Sequence, residues 1–150
     1  MAGMTQGDDD FGDWEKYSLP GEGQGCGGVA EAQGNAVREK SFAFSLAVIR
    51  LYKRLQNARE FVVSNQLLRS GTSVGANIEE ATAAASRRDF LHKCTLASKE
   101  ARESMYWLRL LAESDLVPDV DVTAELEQAH ELVRILTAIV KSLSTDSKDQ

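Results

Sequence analysis

The sequence predicts an all-α protein: four amphipathic helices folded as an antiparallel, up-down-up-down four-helix bundle, behind a disordered N-terminal tail. Three observations predict it. Apolar residues recur at three- and four-residue intervals in four successive stretches, the pattern of a helix with one buried face. Helix-start signals or a proline separate these stretches by only a few residues, which makes consecutive helices antiparallel neighbours. No stretch alternates strictly between apolar and polar residues, and there is no hairpin signal or internal repeat. Four such helices with short connections close into a bundle.

Residues 1–40 are set apart by composition. They hold nine of the eleven glycines, including GEGQGCGG at Gly21–Gly28, and eight acids against three bases. Such a segment buries too little apolar surface to offset its ordering entropy, so disorder is expected over 1–40. Asp8–Pro20 reads DDDFGDWEKYSLP, with Phe11, Trp14 and Tyr17 at three-residue spacing among acids. A solvated acidic tail accounts for that pattern. So does a docking peptide for a protein partner, its aromatics anchored in a groove, or a segment that folds back on a basic patch of its own domain. The bundle is assigned to 41–143 and a frayed polar end to 144–150.

Helix 1 is predicted from about Ser41 to Gln56, with Phe44, Val48, Leu51 and Leu55 inward and Arg50, Lys53 and Arg54 outward. Asn57-Ala-Arg-Glu60 has capping-box spacing and opens helix 2 after a very short link. Ser86-Arg-Arg-Asp89 repeats the start signal for helix 3, which runs to about Ser114. Its stripe is Phe90, Cys94, Ala97, Ala101, Met105, Leu108 and Leu111. Asp89–Lys93 and Lys99–Glu103 are spaced as i,i+4 pairs on its outer face. Pro118 breaks the pattern. Helix 4 starts near Asp119 or Asp121, with Val122, Leu126, Ala129, Val133, Leu136, Val140 and Leu143 inward.

Helix 2 is the centre of the sequence. From Phe61 to Ala85 there are three charges, Arg69, Glu79 and Glu80, against ten in the 28 residues Arg87–Ser114. A helix with so little charge is expected to be buried on several sides. Gly71 and Gly75 each cost about 1 kcal/mol relative to Ala inside a helix. Together with Ser73 and Ala76 they let another helix approach closely. The alternative is a helix break at Ser70–Gly71, with Thr72 or Ser73 capping a new start. Val63, Leu67, Gly71, Val74, Ile78, Ala81 and Ala85 make one stripe. Arg69, Ser73, Asn77 and Glu80 make a second, whose members need partners from another helix or another subunit. Arg69, Asn77, Glu80 and Glu100 read as a structural polar network that sets helix register or subunit geometry.

Several chemistries find no support. Residues 41–150 carry fifteen acids and fourteen bases, without the basic excess of a typical nucleic-acid-binding domain. Arg87, Arg88, Arg102 and Arg109 on helix 3, with Arg50, Lys53 and Arg54, remain the candidate phosphate contacts; a solvated charged face explains them too. Cys26 and Cys94 stand in unlike contexts and suggest no disulfide framework. Glu127-Gln-Ala-His130 matches one Glu-x-x-His motif, but a di-iron bundle needs two, so no metal or cofactor is expected. Ser70, Thr72 and Ser73 lack a nucleophile-elbow context, and Gly71–Gly75 lacks the Lys-Ser/Thr of a phosphate loop. No apolar run reaches the ~20 residues of a membrane span, and no signal peptide is apparent, so a cytoplasmic location without membrane contact is the expectation. Trp107, beside Tyr106, reads equally as core or subunit interface.

SFAFSLAVIRLYKRL and NQLLRSGTSVGANIEEATAAASRRDFLHKCTLASKEARESMYWLRLL together resemble the bacterial four helix bundle protein family, also called the 23S ribosomal-RNA intervening-sequence proteins. The resemblance spans about residues 41–143 and is carried by RSGTSVGAN at Arg69–Asn77, then Ser86, Asp89, Phe90, Lys93, Lys99–Glu103 and Tyr106-Trp107. It implies a left-handed antiparallel bundle. It also implies self-assembly, because members and the related accessory variability proteins of diversity-generating retroelements tend to form ring-like homopentamers. Those retroelement relatives bind nucleic acid and a reverse transcriptase through basic surfaces. The expectation is a non-enzymatic homo-oligomer, a pentamer, with Arg69, Ser70, Gly71, Ser73, Gly75, Asn77, Glu80, Glu100 and Trp107 at its structural and subunit seam. The alternative is a nucleic-acid-binding accessory protein.

Overall fold

In the computed structural model, which describes residues 28–145 and their side chains from residue 34, the four stripes become four helices: α1 (Gly28–Asn57), α2 (Val62–Ala81), α3 (Arg87–Glu113) and α4 (Thr123–Thr145). No strand occurs among these residues. The helices pack in the cycle α1–α2–α3–α4–α1, and the diagonal pairs touch least. Cross-helix contacts give the directions. Arg38 meets Glu79 and Ser45 meets Gly71 across α1 and α2. Glu80 meets Lys93 and Arg69 meets Glu103 across α2 and α3. Arg87 meets Leu143 and Arg102 meets Thr137 across α3 and α4. In each pair one number rises as the other falls, so consecutive helices are antiparallel.

The predicted stripes form the core. Phe44, Val48, Leu51 and Leu55 of α1 are fully buried, facing Leu67, Val74 and Ile78 of α2, Ala97, Ala101 and Leu108 of α3, and Ala129, Leu132 and Leu136 of α4. Each of the larger side chains contributes about 1.5–3 kcal/mol by leaving water.

α1 begins at Gly28, thirteen residues before the expected start at Ser41, so disorder over the whole of 1–40 does not hold for 28–40. The inward stripe continues backwards: Gly34, Val37 and Ser41 are buried in step with Phe44 and Val48. The alanines, Glu31 and Gln33 are good helix formers, and together they outweigh the glycines. Residues 1–27 lie outside the described residues, as do 146–150. At the other end Ser144 and Thr145 are helical rather than frayed.

The first turn also differs from expectation. Asn57 belongs to α1, and Glu60 works forward instead of back. Its carboxylate accepts from the amides of Val62 (3.0 Å), Val63 (2.9 Å) and Ser64 (2.7 Å), three of the donors that a helix start leaves unpaired. α1 closes in a Schellman motif: Glu60 N donates to Leu55 O and Arg59 N to Gln56 O. This places Arg59 at a φ of +61°, in the left-handed region. Ser86 caps α3 as predicted, accepting from the Asp89 amide at 3.2 Å. Asp121, accepting from the Thr123 amide and hydroxyl, anchors the start of α4.

Candidate functional site

α2 runs unbroken through Gly71 and Gly75, and both glycines face α1 of the same chain. A β-carbon on Gly71 would strike Val48, and one on Gly75 would strike the Ser45 hydroxyl at 2.8 Å. Ser45 Oγ lies 3.0 Å from Ser41 O and 3.2 Å from Gly71 O, so its proton is shared between α1 and the adjoining backbone of α2. On the other flank, the fully buried Ser70 and Ser104 hydroxyls stand 2.9 Å apart between α2 and α3.

Within one chain the second face of α2 is not enclosed: Gln66, Arg69, Ala76 and Glu80 are exposed and Ser73 and Asn77 half-buried, so the other three helices do not bury α2 on this side as expected. The three charges of α2 are each partnered from a neighbouring helix. Arg69 Nη2 reaches Glu103 at 2.7 Å, Lys93 bonds Glu80, and Arg38 grips Glu79 through two bonds of 2.7 and 2.9 Å. Lys93 and Glu103 therefore bond across helices instead of in the expected i,i+4 pairs.

Arg69, Asn77, Glu80 and Glu100 do not join as one network. Asn77 donates to Ser73 O at 2.9 Å, within its own helix. Glu103 accepts from both Arg69 and the Trp107 indole (3.2 Å), and Trp107 packs against the edge of the core. The Tyr106 ring meets Trp107 edge-on at 5.0 Å and is itself exposed. Glu100 lies beside this group with one buried carboxylate oxygen that has no hydrogen-bond partner. Burial, and secondarily the Glu103 charge, push the Glu100 carboxyl up, with Arg69 opposing them.

The candidate cations do not make one surface. Arg50 and Lys53 are exposed on α1, across the bundle from α3. Arg54 is engaged, 2.6 Å from Glu125 and 3.0 Å from Asp121 O. Arg87 donates to Leu143 O at 2.9 Å, Arg102 to the Thr137 hydroxyl at 2.8 Å, and Arg109 lies 3.5 Å from Glu113. Arg88 is exposed. Arg134 and Lys141 on α4 are exposed cations that the candidate set omitted. Glu127 and His130 share their outward surface. Phe11, Trp14 and Tyr17 lie outside the described residues.

One feature escaped the sequence reading. Phe42, Leu46 and Ile49 are 60%, 38% and 38% exposed and fall on one line of α1. The signal was present: from Phe42 to Leu51 the only charge is Arg50, so α1 is apolar on both sides.

Among the described residues no helix is long and apolar enough to cross a membrane. No curated protein matches the chain. A crystal structure of a protein of unknown function from the S23 ribosomal protein family of Bacteroides thetaiotaomicron is similar, with 42% identity and a TM-score of 0.68. The match covers 73% of this chain and 98% of that one. The family model described as 23S rRNA-intervening sequence protein matches residues 33–138, from the first buried turns of α1 to the last third of α4. The matched span takes in the whole of α2 and α3 and most of α1 and α4, and the chain belongs to the 23S rRNA-intervening sequence protein family.

Proposed function

We propose that this chain is a non-enzymatic, self-assembling interaction protein of the cytoplasm whose working form is a homopentameric ring. The observation that carries the reading is the outward stripe Phe42, Leu46 and Ile49 on α1. Single exposed apolar residues are ordinary, but an aligned row on a rigid helix marks a contact surface. α2 offers a facing surface through Gln66, Ser73 and Ala76, flanked by Arg69 and Glu80, whose charges are already paired within the chain. Docking α1 of one copy on α2 of the next is a heterologous contact, which closes into a ring when the rotation permits. The number five comes from the resemblance to ring-forming members of the family.

Light scattering on the full chain tests this. The expected mass is five times the 16.4 kDa chain, at low and high salt alike. Phe42→Glu with Ile49→Glu, both at exposed positions, should give folded monomers. A monomeric parent chain, or an assembly indifferent to these substitutions, overturns the proposal.

A second reading, a nucleic-acid-binding accessory protein, is favoured by one observation. Arg88, Lys99, Arg102, Arg134 and Lys141, on α3 and α4, have no carboxylate within salt-bridge distance among the described residues. Cations left free of local acids can follow phosphates. Titration of RNA and single-stranded DNA at low salt decides it: no binding to either removes this reading. Loss of binding in Arg134→Glu with Lys141→Glu locates it on α4.

A further inference from the structure

Beside the bundle's main core lies a cavity of about 320 Å³, between the start of α1 and the end of α4. All four helices line it. Its walls are Val37, Ile78, Phe90, Cys94, Ile135 and Ile139. Small residues leave the room: Gly34 and Ala36 on α1, Ala81 on α2 and Ala138 on α4. Ala138 is exposed and marks the mouth. It opens along the α1–α4 seam, the loosest of the four neighbouring pairs.

We infer that this cavity is a binding site for an uncharged, apolar small molecule about the size of a two-ring aromatic. Size sets the upper bound. The volume is about twice the ~150 Å³ of an engineered apolar cavity that takes benzene, and it falls at the small end of the range for ligand pockets. A helix, some 10 Å across with its side chains, cannot enter it. Lining sets the chemistry. Among the described residues, no Asp, Glu, Lys, Arg, His or amide side chain borders the space. A charged ligand would therefore lose its hydration there without compensation. The Cys94 thiol stands on the wall as a built-in reporter of occupancy; it is a free thiol and 2% exposed.

The test uses the full chain with Cys26→Ser, so that Cys94 is the one thiol. The probe is 1-aminonaphthalene, neutral at pH 7 and brighter in apolar surroundings. Binding should saturate at one site per chain. At a free probe concentration of ten times Kd, Cys94 modification by methyl methanethiosulfonate should slow about tenfold by mass action. Ala138→Phe at the mouth and Ala36→Phe from α1 should each abolish the probe signal while melting stays cooperative. Should either filled variant fail to fold, Cys94 protection in the parent chain decides alone. No saturable binding, saturable binding without Cys94 protection, or binding that survives both fillings overturns the proposal. So does binding seen only after Phe11→Ala with Trp14→Ala, which would assign the cavity to the chain's own aromatic segment.

Discussion

Gly71 of α2 lies so close beneath Val48 of α1 that a β-carbon on it would come within 2.8 Å of Val48 Cγ2 and 2.9 Å of Cγ1. Val48 is fully buried, and a β-branched side chain in a helix has one strongly preferred rotamer, so it cannot swing aside. Gly71→Ala should therefore destabilise by about 1–3 kcal/mol, despite the better helix propensity of alanine. Gly75→Ala meets the Ser45 hydroxyl, which can rotate away at the loss of its hydrogen bonds, and stands 3.4 Å from the Ser41 carbonyl, so it should cost less than Gly71→Ala. Urea unfolding of both variants, and of Gly71→Ala combined with Val48→Ala, checks this. Equal effects at the two glycines, or strict additivity in the pair, would contradict the steric account.

Glu60 should give the α1–α2 turn a pH-dependent stability. Burial pushes its carboxyl up, but the amides of Val63, Ser64 and Val62 outweigh burial and hold it below the ordinary range. A carboxyl lowered in the folded state stabilises above its unfolded pKa of about 4.3, and this is lost as pH falls through the folded value. Glu60→Gln should cost roughly 1–2 kcal/mol at neutral pH, the scale of a helix cap. The difference from the parent should close in acid. A pH-independent difference would mean that hydrogen bonding, not charge, carries the effect.

Glu100 has the opposite sign. Its folded state holds a proton more tightly than the unfolded chain does, because of burial and then the neighbouring Glu103 charge. The ionised carboxylate thus weighs against folding above its folded pKa and does no harm below the unfolded value. Glu100→Gln should raise the melting temperature at neutral pH, with the gain vanishing below about pH 4. Paired melts across that range test it; a loss of stability at neutral pH would show that Glu100 has a partner that compensates its burial.

Arg59 occupies the left-handed region, φ +61°, at the C-terminus of α1. That conformation costs an ordinary residue about 1–2 kcal/mol, partly offset in glycine by the greater entropy of its unfolded chain. Arg59 is exposed, so no packing is lost on substitution. Arg59→Gly should stabilise by up to about 1 kcal/mol. A destabilised variant would assign Arg59 a contact worth more than its strain.

Local residue pattern settled the four helices, their order and their buried faces. Phe44 to Leu55, Phe90 to Leu111 and the Ser86 cap are legible because a helix period and a capping serine act within a few residues. The early start of α1 was missed for the same reason. Val37 joins the stripe only once α2 and α4 are there to bury it, and glycine-rich composition dominates the local signal.

What tertiary structure alone decided is pairing. Spacing made Arg69 and Glu80 charges in search of partners, but only the α2–α3 register chose Glu103 and Lys93. Likewise, Gly71 and Gly75 announced a close approach without saying to what; the packing of α1 against α2 chose Val48 and Ser45. The outward row Phe42–Leu46–Ile49 became visible only when Phe44 and Val48 had taken the inward side. Periodicity is a property of one chain segment. Partnership depends on the register of two, which no single segment encodes.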